Sequence, residues 1–135
     1  MNISSFNELL QAARQQAEPQ RLLFVFAGAE LPPDSTPAQR AHFEAGHGGA
    51  LVPLMTLDRT PHELRSFSDL LEESRQFGDD WRIVFAAALS GSGGIAPTAE
   101  LAEKSLQRMV EAIKAGTLAG YVPFDRQGEA VQLGH

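Results

Sequence analysis

The segment LLFVFAGA, residues 22–29, is an unbroken apolar run with a Phe-Val-Phe sequence at its centre. A strand that is covered on both faces has this pattern, so the segment predicts a central strand of a sheet. The segment IVFAAAL, residues 83–89, matches it and predicts a second buried strand. We therefore expect these two strands to be neighbours at the centre of one sheet.

Two further segments predict strands that lie outside the central pair. Residues 51–57 and 121–124 are mostly apolar, and they contain Pro53 and Pro123 respectively. Proline has no N–H group to donate to a central ladder, so these strands should lie at the edges of the sheet or carry a bulge.

Helices are predicted between the strands from cap signatures and from apolar residues at helical spacing. The first helix follows Ser5, a short second one begins at Pro37, a third begins at Thr60, and the longest follows Thr98. The third helix is expected to turn these side chains inward: Leu64, Phe67, Leu70, Leu71 and Phe77.

The order helix-strand-helix-strand occurs twice, and the two halves share residue types. Ser5, Phe6, Leu9, Leu10, Arg14 and Gln15 return 61 positions later as Ser66, Phe67, Leu70, Leu71, Arg75 and Gln76. Val25 and Phe26 return 59 positions later as Val84 and Phe85. Such drifting offsets are typical of a duplicated unit whose loops have diverged. We predict a single domain, residues 1–135, made of two pseudo-repeats at about 5–59 and 66–126 that are related by a pseudo-two-fold axis, with a short C-terminal hairpin tail.

Alternation of helices with buried strands predicts an α/β fold. We expect a small sheet of four or five strands, parallel or mixed in direction, covered by helices on both faces. Right-handed crossovers would place the two proline-containing strands outside the central pair.

Composition disfavours several classes of function. The 135 residues carry a formal net charge of -6, which opposes binding to nucleic acid and to anionic membrane surfaces. The chain has no cysteine, so disulfides, thiolate nucleophiles and cysteine-based metal sites are excluded. No basic residue precedes Arg14 and no apolar signal segment is present, so we expect a soluble, cytoplasmic protein.

A glycine-rich turn, residues 90–94, follows one buried strand and precedes a helix. Open α/β sheets present backbone N–H groups to anions at this position. Under the duplication, the matching loop of the first half, which follows the other central strand, would face the same edge of this sheet. The candidate ligand-binding site therefore consists of Glu30, Asp34, Ser90, Gly91, Ser92, Gly93 and Gly94. The turn lacks the residues of a phosphate or dinucleotide motif, so an ordinary structural turn is the other interpretation.

The dipeptide Asp-Arg closes both halves, at residues 58–59 and 125–126. A guanidinium group can hold an anion at two points, so Arg59 and Arg126 are candidate anion-binding residues. The structural interpretation is a symmetric pair of salt bridges that holds the two halves together.

Neither a metal site nor a catalytic residue is predicted. His42, Glu44 and His47 form the only histidine cluster, but the two histidines are five residues apart and Gly46 ends the helix between them, which favours a loop pair. The sequence contains no Gly-x-Ser-x-Gly motif. We expect no cofactor, and whether the protein is an enzyme stays open.

Four segments carry a resemblance to a known family: RLLFVFAGAELP (21–32), PLMTLDRTPHEL (53–64), LQRMVEAIKAG (106–116) and VPFDRQG (122–128). They resemble small uncharacterised proteobacterial proteins that often carry the label "ribonucleotide reductase subunit alpha". The resemblance covers nearly the whole chain. Reductase chemistry depends on cysteines, so the resemblance implies no catalytic residue here and at most a genomic or physical association.

These observations predict a non-catalytic binding or protein-interaction module of unknown partner. We expect it to self-associate as a homo-oligomer through an edge strand or an exposed helix face. The alternative is a small enzyme or ligand sensor that binds a small polar or anionic ligand at the loops after the two central strands. A concave pocket with perturbed carboxylates would favour the alternative. An exposed apolar patch elsewhere would favour the interaction module.

Overall fold

Helices and strands alternate along the computed structural model, which describes residues 3–30, 35–44, 50–78 and 80–132. Within these ranges the helices are α1 (Phe6–Arg14), α2 (Pro37–Glu44), α3 (Phe67–Arg75) and α4 (Ala99–Lys114). The strands are β1 (Gln20–Glu30), β2 (Ala50–Arg59), β3 (Ile83–Ser90) and β4 (Val122–Phe124). A short 3₁₀ turn, Pro61–Glu63, precedes α3. None of these helices has both the length and the hydrophobicity needed to cross a bilayer.

The four strands form one sheet in the order β2-β1-β3-β4. The predicted central pair, β1 and β3, and the predicted edge positions of β2 and β4 are confirmed. The predicted parallel or mixed direction is wrong, because every neighbouring pair is antiparallel. Glu30 pairs with Ala50, so the connection that contains α2 returns the chain at the same end of the sheet. A helix within a connection does not by itself make a crossover, which a parallel pair requires.

The side chains of the central strands point alternately to the two faces of the sheet and belong to two hydrophobic clusters, one on each face. On one face Leu22, Phe24 and Phe26 pack with side chains of α1 and α3. On the other face Leu23 and Val25 pack with α4. The expected cover of helices on both faces is therefore present, with α1 and α3 on one side and α4 on the other.

Phe6 lies at the centre of the first cluster and has no solvent exposure. Its ring centroid is 5.7 Å from that of Phe24, 5.4 Å from that of Phe67 and 5.6 Å from that of Phe124. Phe67 is buried as well, which confirms the inward position predicted for it.

The third predicted helix is divided in the structure. The 3₁₀ turn ends at Glu63, and α3 begins only at Phe67, where Ser66 Oγ accepts a hydrogen bond from the Ser68 N–H group at 3.2 Å. Phe77 lies beyond the end of α3 and is 67% exposed, so its predicted inward position is wrong.

The two halves agree in their helices and differ in their strands. Helices α1 and α3 pack on the same face, as a two-fold axis perpendicular to the sheet requires. Phe26 and Phe85, however, belong to clusters on opposite faces. In an antiparallel pair a shift of one residue moves a side chain to the other face. The offset of 59 therefore pairs residues on opposite faces of the sheet, and an offset of one residue more or less would pair residues on the same face. The duplication stays a prediction.

The C-terminal segment covers the outer side of β4. The Val131 N–H group donates to the Pro123 carbonyl at 3.0 Å, and Ala130 forms a bridge with Phe124. The same segment reaches the start of α1, where the Phe6 N–H group donates to the Gly128 carbonyl at 2.7 Å. The tail therefore closes one edge of the sheet.

Candidate functional site

Among the described residues, the outer edge of β2 is the longest edge of the sheet to which no segment pairs. This strand has ten residues and is bonded to β1 on one side, while no segment among the described residues pairs with its other side. None of the side chains at positions 51–59 is buried. Six of these residues are apolar: Leu51, Val52, Pro53, Leu54, Met55 and Leu57. A long apolar edge of this kind is a template for pairing with another chain.

A bulge divides β2 into two parts. The pairing with β1 shifts between Met55, which opposes Phe26, and Pro53, which opposes Ala27. Leu54 is the extra residue at this shift, and its side chain is 50% exposed. Because Pro53 lacks an N–H group, the uninterrupted part of the edge consists of residues 54–59.

A groove of about 790 Å³ lies between this part of β2 and α4. It is lined by Thr56, Asp58, Ala99, Glu103, Leu106, Gln107, Val110 and Glu111. Leu106 and Val110 give the groove an apolar strip, and three carboxylates lie beside that strip. No basic side chain belongs to this lining.

The three carboxylates of the groove differ in their partners. Asp58 forms an ion pair with Arg21, whose Nε also donates to the Pro97 carbonyl at 3.2 Å. Glu111 lies 3.3 Å from Lys114 Nζ in an exposed pair, a contact that contributes little. Within the described part of the chain, Glu103 has no ion-pair partner. The groove is therefore acidic where it meets solvent.

The predicted glycine-rich turn is a tight β-turn. Ser92 and Ile95 exchange two backbone hydrogen bonds of 3.0 Å, and Gly93 and Gly94 have φ angles of 60° and 78°. These positive angles define a type I′ turn, which favours glycine at both positions. The Gly94 N–H group donates to Glu18 Oε1 at 3.0 Å. The Glu18 carboxylate thus already accepts the hydrogen bond that one N–H group of the predicted anion site could donate to a ligand.

The structure does not bring Glu30 to this turn. Ser90 pairs with Gln20 at one end of β1, and Glu30 lies at the other end. Ten residue steps of a strand separate the two ends by roughly 33 Å. The expectation of a shared edge depended on parallel strands, and Asp34 lies outside the described residues. Ligand binding at the turn, which also borders a cavity of about 480 Å³ through Gly94, stays a prediction.

Arg59 and Arg126 are held by separate structural contacts. Arg59 Nη2 is 2.8 Å from Glu73 Oε1, and its Nη1 donates to the Asp58 carbonyl at 2.6 Å. The Arg126 guanidinium lies 4.6 Å from the centre of the Trp81 ring, and Nη1 donates to the Trp81 carbonyl at 2.8 Å. The structure does not bring the two arginines together, and anion binding by either stays a prediction.

In the predicted histidine cluster, the side chains of His42 and Glu44, and all of His47, lie outside the described residues. Elsewhere in the chain, over the ranges that the structure does describe, no group of three His, Asp or Glu side chains is arranged to hold a metal ion.

In the part of the chain that the structure describes, three carboxyl groups have lowered pKa values, and all three lie at the starts of helical segments. The Ser4 hydroxyl, with the Ser4 N–H group, lowers the pKa of Glu8. The Thr60 N–H group donates to Glu63 at 2.7 Å and lowers the pKa of that carboxyl. The Arg65 side chain does the same for the pKa of Asp69. These shifts belong to helix capping and not to the groove.

The sequence-based interpretation missed the groove. A usable signal was present in α4, where Glu103, Gln107 and Glu111 follow one another at intervals of four residues beside the apolar stripe. Such spacing places polar side chains on one face of a helix. Whether that face lines a groove depends on how α4 packs over β2, and this packing cannot be predicted from local sequence patterns.

No protein-family model, curated protein or solved structure matches this chain. Function is therefore inferred from the surface of the molecule itself.

Proposed function

We propose that the protein is a non-catalytic interaction module that binds an extended segment of a partner along β2. The docking surface consists of the outer edge of residues 54–59 and the groove between β2 and α4. One observation carries the proposal: β2 is a ten-residue, largely apolar edge strand with no buried side chain at positions 51–59, and no described segment covers it.

Strand addition suits this surface because it would pair the outward backbone groups of β2 and cover the side chains beside them. A segment that pairs with β2 would take up the free backbone N–H and C=O groups, which supplies affinity. Its alternate side chains would cover Met55 and Leu57 on one side and enter the groove on the other, which supplies specificity. A cytoplasmic location remains part of the proposal, and a chain without cysteine is compatible with it.

A small-ligand site beside Gly94 is the second candidate function. The cavity of about 480 Å³ there favours it, since Arg14, Glu18 and His62 contribute polar groups to its lining. Glu18 already accepts a hydrogen bond from the Gly94 N–H group, so an anionic ligand would have to displace that carboxylate. For this reason the β2 surface is the stronger candidate.

The proposal can be tested by selecting binders from a library of random peptides and locating them by amide hydrogen exchange. We expect selected peptides to slow exchange in residues 54–59. Leu54→Lys should weaken their binding, because it places a charge on the edge. Phe77→Lys is the matched control, since Phe77 is also exposed and lies after α3. Binders that consistently protect another region, or that bind the Leu54→Lys variant unchanged, would refute the proposal.

A further inference from the structure

The two faces of the β2 docking surface differ in chemistry. Thr56 and Asp58 oppose Val25 and Leu23, so they share the face that carries α4. Met55 and Leu57 oppose Phe26 and Phe24 and lie on the face of α1 and α3. A strand added to β2 continues the same pleat, so its side chains point alternately toward an acidic groove and toward an apolar surface.

From this we infer that the partner segment alternates basic and apolar residues and directs its basic side chains toward α4. The inference rests on the proposed function and names the chemical class of its partner. The stems of Lys or Arg can cover Leu106 and Val110 while their charged groups reach the carboxylates of the groove. Apolar residues at the intervening positions would cover Met55 and Leu57.

The spacing of the groove carboxylates fits such a segment. Glu103 and Glu111 are eight residues apart on α4, a rise of about 12 Å. Residues four apart in a strand, which point to the same face, are separated by about 13 Å. A basic residue at one position and another four residues later therefore match the two carboxylates when the segment runs along α4.

A second copy of this chain is a poorer occupant. Two copies paired through β2 about a two-fold axis would have their α4 helices antiparallel on the same face of a joined sheet. Glu103 of each copy would then lie toward Glu111 of the other, and each chain already carries a net charge of -6. Like charges brought together oppose association. Charge complementarity thus favours a basic heterologous segment.

The test uses two synthetic ten-residue peptides, one alternating Val and Lys and one alternating Val and Glu, with the full-length protein. Fluorescence anisotropy of labelled peptides should show binding of the Lys peptide about tenfold tighter than binding of the Glu peptide, from two or three ion pairs. Added salt should reduce this preference. The double variant Glu103→Gln/Glu111→Gln should lose most of it, while Glu100→Gln, on the same helix but outside the groove lining, should keep it.

The outcomes separate the inference from the proposed function. If both peptides bind equally and protect residues 54–59 from hydrogen exchange, the basic partner is refuted and strand addition survives. If the Lys peptide binds without protecting these residues, or if no peptide binds, the basic partner is refuted, and strand addition is then judged by the library selection alone. Sedimentation of a dimer at micromolar concentration that Leu54→Lys dissociates would identify a second copy as the occupant and overturn the inference.

Discussion

The two edges of the sheet differ in length and in what covers them. The β4 edge has three residues, contains Pro123, and is covered by the C-terminal tail, whose Val131 donates to the Pro123 carbonyl. Phe124 in this strand is fully buried. The β2 edge has ten residues, none of the side chains at positions 51–59 is buried, and no described segment pairs with its outer side.

Of the two edges, only β4 has the full set of features that protect an edge strand from pairing with another chain. Short length, proline and a covering segment are ways in which proteins protect an edge strand, and β4 combines all three. β2 has only Pro53 and a bulge, and both lie in its first half. No described segment pairs with the second half, which lies beside the acidic groove.

The largest loss of stability is expected in the buried cluster around Phe6, which includes Phe124 of β4. Phe6→Ala should lower the free energy of unfolding by about 3–5 kcal/mol, because it removes the ring that contacts Phe24, Phe67 and Phe124. Leu54→Ala, at the open edge, should cost less than about 1 kcal/mol. Urea unfolding measures both values. Equal costs for the two variants would show that β2 is buried or that Phe6 is not.

A smaller effect is expected at the tail that closes the β4 edge. Gly128 has a φ of +80°, and a Cβ atom there would lie 2.8 Å from Phe67 Cγ. Gly128→Ala should therefore combine backbone strain with a clash and cost more than about 2 kcal/mol. Gly116→Ala is the control, because Gly116 has a φ of +78° with no atom within 4 Å of the added Cβ, so only strain of about 1–2 kcal/mol applies. Thermal unfolding that ranks the two variants equally would contradict the packing of the tail against Phe67.

The open edge itself should tolerate charge. Leu54→Lys is expected to change the free energy of unfolding by less than about 1 kcal/mol, since the side chain is 50% exposed. The same change should reduce aggregation at high protein concentration, because a lysine on an edge strand opposes edge-to-edge pairing. Light scattering measures the second effect, and an unchanged aggregation rate would mean that another surface controls association.

The smallest effect concerns the cap that follows β2. The Thr60 N–H group lowers the pKa of Glu63 in the folded state, so the ionised carboxylate stabilises the fold. This contribution is fully present above the unfolded value of 4.5 and is lost as the pH falls through the lowered folded pKa. Glu63→Gln should therefore reduce stability at neutral pH and flatten its decline below pH 4.5. If the free energy of unfolding of the Glu63→Gln variant and of the unmodified protein changed with pH in the same way, the hydrogen bond from Thr60 to Glu63 would not stabilise the fold.

Much of the architecture could be predicted from sequence because it depends on local patterns. The apolar runs identified both central strands, and Pro53 and Pro123 identified the edges. Strand direction was missed, since the alternation of helices and strands is the same whether a connection crosses the sheet or returns at one end. The inward position predicted for Phe77 failed because α3 ends at Arg75, before the helical spacing could apply.

The candidate site was less accessible to sequence reasoning. The glycine-rich turn was identified as a turn, but the proposed cluster with Glu30 depended on a parallel sheet, and the antiparallel register places Glu30 at the far end of β1. The groove depends on how α4 lies over β2, a long-range packing that no local pattern encodes.

Amide hydrogen exchange of the free protein measures whether β2 is an open edge. Alternate amides of residues 54–59 point outward and should exchange rapidly, while those bonded to β1 and those of β3 should be protected. Adding the alternating Val and Lys peptide should slow the outward amides and leave the β4 edge unchanged. Outward amides of β2 that already exchange slowly in the free protein would show that the edge is covered and that no partner segment can pair with it.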